Sequence, residues 1–108
     1  MVANESTARA KELYEQARLK GAAGDYDKAI AILNELIKFE PSYAEAYILR
    51  GHAKYLNGDQ EKAFDDYRLA ASVYERNGEP EKVSGPLSVI EMHNRAVEMR
   101  NKDGKRYV

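Results

Sequence analysis

Apolar residues return along this chain in steps of three and four, the spacing of a helix that buries one face. Ala10, Leu13 and Ala17 form the first such stripe and predict a helix over about 7–22, with Gly24 ending it. A broader face of Ala29, Ile30, Ile32, Leu33, Leu36 and Ile37 predicts a second helix, which Asp25 can cap and which stops near residue 39 because Pro41 cannot continue it. Ala46, Tyr47, Leu49, Ala53 and Leu56 predict a third, opened by a capping box of Ser42 and Glu45 and closed by Asn57-Gly58. Ala63, Phe64, Tyr67, Ala70 and Ala71 predict a fourth, capped by Asp59 and broken at Asn77-Gly78-Glu79-Pro80.

Ser84-Gly85-Pro86 suits a helix start, so a fifth helix is expected over about 84–101. Val89, Met92, Ala96 and Met99 define its seam, widened by Ile90 and Val97, for packing on the preceding hairpin, while Glu91, Arg95, Glu98 and Arg100 stay in water. Lys102-Asp103-Gly104 is expected to end this helix ahead of a frayed tail over 102–108, and residues 1–6 are expected to be flexible. The pattern is that of one all-α domain of about five helices over 7–101.

The first four helices repeat themselves. GDYDKA at 24–29 returns as GDQEKA at 58–63, an offset of 34 residues that also sets Ala17 against Gly51 and Leu33 against Tyr67. A helical hairpin of that period, with a small residue in its first helix, a Gly-Asp turn and an Ala early in its second helix, resembles the tetratricopeptide repeat (TPR). Tyr47, Gly51, Gly58, Ala63, Tyr67 and Ala70 carry the resemblance in the second unit, and Leu13, Ala17, Gly24, Tyr26, Ala29, Leu33 and Pro41 in the first. It covers about 8–41 and 42–76, and it departs from the family pattern at Leu36, at Glu75 in place of a closing proline, and at Lys20 and Lys54. Two repeats leave open ends, since each unit buries its apolar face only against a neighbour. The fifth helix is read as the cap; the first helix of a degenerate third repeat, a second copy of the chain, or part of a longer protein would serve the same need.

The resemblance implies a non-catalytic protein-interaction module, with the first helix of each hairpin lining a concave groove. Helical spacing then selects Lys11, Tyr14 and Arg18 on one stripe and Glu45, Ile48, His52 and Tyr55 on the next as groove candidates for a peptide. The first helices carry a net charge of +3 and the second helices −4, a polarity that predicts an acidic or carboxylate-ended peptide. The lysine, asparagine and arginine pattern by which family members hold acidic chaperone tails is not reproduced, since Tyr14, Arg18 and Leu49 stand at its positions. The alternative reading is a self-assembling structural subunit that uses the repeat edge or the Met92/Met99 face, so both a monomer and a homodimer are consistent with the sequence.

Composition narrows the chemistry further. The 108-residue chain has no cysteine, which removes disulfides, thiolate metal sites and thiol nucleophiles. His52 and His93 lack a metal-ligand spacing, and no acid or base pair nominates a reaction; neither an enzyme, a metal nor a cofactor is expected. Asp65-Asp66 reads as an acidic pair on a solvated helix face. No run is long and apolar enough to span a membrane, the N-terminal residues lack the order of a signal peptide, and a cytoplasmic location is expected. Basic residues near the C-terminus are nearly cancelled by acids, so no nucleic-acid partner is expected.

Overall fold

A computed structural model of the chain describes the backbone of residues 2–106 and the side chains of residues 7–102. Its helices are α1 (Val2–Ala22), α2 (Tyr26–Phe39), α3 (Ala44–Leu56), α4 (Gln60–Arg76) and α5 (Ser84–Arg106), with one 3-10 turn at Pro80–Lys82. α1 pairs with α2 and α3 with α4 as hairpins, α2 packs on α3, and α4 packs on α5 in the same way. The result is an elongated stack with principal extents of 64 × 32 × 16 Å.

Glycine sets the hairpin turns. Gly24 and Gly58 adopt φ of 82° and 95°, where a Cβ would be strained. In both turns the next two N–H groups close back on the helix: Gly58 N donates to the Tyr55 carbonyl at 3.1 Å and Asp59 N to that of Lys54 at 2.9 Å. This is the Schellman pattern, and it satisfies carbonyls that the helix end leaves unpaired. The same turn recurs at Gly78, where α4 ends. Between repeats the chain turns at Pro41 instead, and the Tyr47 hydroxyl donates to the Pro41 carbonyl at 2.9 Å.

Two clusters form the core. Ala10, Leu13, Ala17, Leu33, Leu36 and Ala46 make the first; Ala44, Tyr47, Ala70, Val73 and Tyr74 make the second; Ile37 packs against both. Leu36, a departure from the family pattern, is fully buried in the first cluster. Small residues stand where helices approach. Ala29 and Ala63 are buried, and a Cβ on Gly51 would lie 2.8 Å from Cε1 of Tyr67.

Several local expectations change. The Ser42/Glu45 capping box does not form: Tyr43 takes the N-cap position without a side-chain cap hydrogen bond, because its ring is packed against the first cluster and Tyr14. Asp25 makes no cap hydrogen bond and lies 3.6 Å from Lys28 Nζ, whereas Asp59 accepts from Lys62 N at 3.4 Å. α1 begins at Val2 rather than near residue 7, and α5 continues past Gly104 to Arg106, since a single glycine weakens a helix by only ~1 kcal/mol. Tyr107 and Val108 lie outside the described residues.

The seam of α5 is also rotated. Pro86 is buried and Val89, Ile90, His93 and Val97 are half-buried, while Met92 and Met99 remain 67% and 63% exposed. His93 fixes this phase: its ring lies 5.1 Å from Phe64 and 5.7 Å from Tyr55, edge-on to both, and the Tyr55 hydroxyl is 3.0 Å from its Nδ1. Glu91 and Arg95 pair with each other at 3.0 Å in water.

Candidate functional site

The seven residues selected by spacing lie on α1 and α3, and Tyr55 is set apart from the other six by its contacts with α4 and α5. Lys11 and Arg18 are exposed on α1, and Arg18 is held in a two-point pair by Glu15, with Nε 3.0 Å from Oε2. That pair holds Glu15 below the usual carboxylate range and lifts Arg18. Tyr14 is half-buried, its ring centroid 5.6 Å from that of Tyr43. Ile48 and His52 line a hollow of about 480 Å³ together with Tyr74, Lys82, Pro86 and Val89. Tyr55 is turned towards α5 by His93 and Phe64, so it fastens the cap rather than facing an open groove.

His52 is tied to α4 through its ring. Its Nδ1 is 2.7 Å from the Tyr67 hydroxyl. Burial, helped by Tyr55 and Asp66, pushes Tyr67 up to about 12, so the phenol keeps its proton, and burial also lowers the imidazole. A phenol and a neutral imidazole at this distance share a hydrogen bond whose direction follows the histidine tautomer.

Electrostatics on this side do not follow the helix sums. Arg50 donates to Asp66 at 2.9 and 2.7 Å and to Asn34 at 2.9 Å, and Lys54 Nζ lies 3.0 Å from the same aspartate. Asp66 is 1% exposed, which corrects its reading as a solvated residue. It lies on the inward stripe of Ala63, Ala70 and Val73, and Arg50 and Lys54, four apart on α3, answer it; that spacing was the available signal. Arg9 is shared between Glu12 and Glu35 at 3.6 and 3.9 Å. Most of the positive charge of the first helices is thus already spent on internal partners.

Tyr43 and Tyr74, to which sequence spacing assigns no role, approach the exposed Glu45. Burial first, and Glu45 next, raise Tyr14 and Tyr43, and the same causes push Tyr74 up to about 12. Lys82 Nζ sits 5.8 Å from the centroid of Tyr74 and 3.0 Å from Oε1 of Glu79.

Two family models match this architecture, one described as TPR repeat over residues 21–58 and one as tetratricopeptide repeat over residues 44–82. The chain belongs to the TPR family. A search of curated proteins found no match to it. TPR repeats generally mediate protein–protein interactions and are generally non-enzymatic. Among the described residues, no helix of this TPR protein is long and apolar enough to cross a membrane.

Proposed function

We propose that this TPR domain, residues 7–101, is a non-catalytic module that binds a peptide segment along its concave face, with 8–41 and 42–76 as repeats and α5 as the cap. One observation carries the reading. Val89, Met92, Ala96 and Met99 follow one another by steps of three and four on α5, and Val89 shares the hollow with Ile48 and His52, so uncovered apolar side chains stand beside the groove. The stripe expected to pack on α4 thus serves as a groove wall. Lys11 and Arg18 flank the far side, and Tyr14, Glu45, Ile48 and His52 make the floor; Tyr55 contributes through α5. The acidic preference inferred from helix sums lacks local support, because Arg9, Arg18, Arg50 and Lys54 are paired within the fold.

Selection of random dodecapeptides on the immobilised chain tests this. Bound peptides should lose affinity about tenfold or more when Ile48→Asp places a charge in the hollow. Leu69→Asp, on the outward face of α4 and 43% exposed, should leave binding unchanged. Equal losses at both positions, or none at Ile48, would remove the groove as the site.

A further inference from the structure

The floor of the groove carries a carboxylate with no ion-pair partner among the described residues. Glu45 is exposed, and it forms no ion pair within 4.0 Å among the described residues, whereas most other acids of the helices do. Its neighbours in sequence explain its place. Ala44 packs into the second core cluster and Ala46 into the first, so Glu45 projects where the two hairpins meet. Tyr14 and Tyr43 stand on the first-cluster side with rings 5.6 Å apart and tilted by 31°, and Tyr74, in the second cluster, stands on the other.

The local field is negative, opposite in sign to the helix sum. At Tyr14, Glu45 acts more strongly than Arg18, whose charge Glu15 offsets. Lys82, an internal cation that Glu45 influences, makes its ion pair with Glu79 and lies against the Tyr74 ring. That contact shows one ring of the cluster already serving a cation, while the Tyr14 and Tyr43 rings have none over them among the described residues.

We propose that Glu45, Tyr14 and Tyr43 form a receptor for a cationic side chain, lysine or arginine, of the bound segment. The carboxylate supplies the charge, and the phenol rings supply the negative faces that attract an alkylammonium or guanidinium. Ile48 and the Val89/Met92 stripe then take apolar residues that follow the cation. This rests on the groove reading above and reverses the ligand charge that the helix sums suggest.

The test uses the full chain and random dodecapeptides selected in parallel on the wild type and on Glu45→Gln. Glu45 is exposed, so the variant should melt at the wild-type temperature. Peptides from the wild type should share a basic residue at one position, and those from Glu45→Gln should not. Replacing that residue by norleucine should weaken binding to the wild type about tenfold and to Glu45→Gln less than about twofold. An arginine- or lysine-free consensus, an acidic one, or an equal loss on both proteins would overturn the receptor while leaving the groove in place. Failure to enrich any peptide would overturn the groove reading and the receptor with it.

Discussion

Gly51→Ala and Gly21→Ala make the same chemical change in two helices and should shift stability in opposite directions. At Gly21 an added Cβ meets nothing within 4 Å, so only the gain in helix propensity remains, and the chain should be stabilised by about 0.5–1 kcal/mol. At Gly51 the Cβ would lie 2.8 Å from Cε1 and 3.1 Å from Cδ1 of Tyr67, and 3.2 Å from the carbonyl oxygen of Ala63. Neither neighbour yields easily. Tyr67 is 1% exposed and tied through its hydroxyl to His52, and the Ala63 carbonyl belongs to the backbone of α4. Overpacking of this kind costs roughly 1–3 kcal/mol, against the ~1 kcal/mol returned by propensity, so a net loss of up to about 2 kcal/mol is expected. With 4–8 °C per kcal/mol as the usual scale for a domain near this size, Gly51→Ala should melt lower by up to roughly 15 °C and Gly21→Ala a few degrees higher. Thermal and urea unfolding by circular dichroism measure both. A Gly51→Ala protein as stable as the Gly21→Ala one would refute the close α3–α4 crossing and the repeat register built on it.

Asp66→Ala leaves Arg50 and Lys54 facing a partly buried gap and should destabilise by about 3 kcal/mol, read as a drop in urea midpoint with an unchanged slope. Replacing His93 by Ala removes the ring contacts to Tyr55 and Phe64; amide hydrogen exchange should then accelerate in α5 well before it does in α1 or α2. Acidification should destabilise through His52: burial holds its folded value below the ordinary 6.5, so the unfolded chain binds more protons, and stability is complete above about pH 6.5 and declines as the pH falls through the folded value. His52→Gln should flatten that limb of the pH–stability curve. Alkaline unfolding has the opposite sign, since Tyr67 and Tyr74 are raised from 10.0 to about 12; their contribution is complete below pH 10 and is lost as the pH rises towards 12, with phenolate absorbance appearing as the fold melts.

The hairpins were readable because their signals are local. The 34-residue recurrence, the two Gly-Asp turns and the small residues at 17, 29, 51 and 63 each report on contacts within a repeat, and the helices stand where those signals place them. The site was less readable, because its geometry depends on which residues meet between helices. Spacing placed Tyr55 in the groove, but His93, 38 residues further on, turns it towards α5. The same contact sets the rotation of α5, and four apolar residues at helical spacing do not reveal whether they face a neighbour or water. Charge sums over whole helices failed for a related reason: Arg50 and Lys54 count as surface cations until Asp66 is found opposite them. Tyr43 and Tyr74 gain a role only once α1, α3 and α4 bring them to Glu45.

The central claim is that the α1/α3/α5 side is the ligand face. The most direct measurement is the amide chemical-shift footprint of a selected peptide on the isotopically labelled chain, recorded at two protein concentrations. Shifts should centre on Tyr14, Ile48, His52, Val89 and Met92, be independent of protein concentration, and be absent from the outward face of α4 around Leu69. A footprint on α2 and α4, or shifts at Met92 and Met99 that follow protein concentration without any peptide, would contradict it; the second result would assign that stripe to a second copy of the chain.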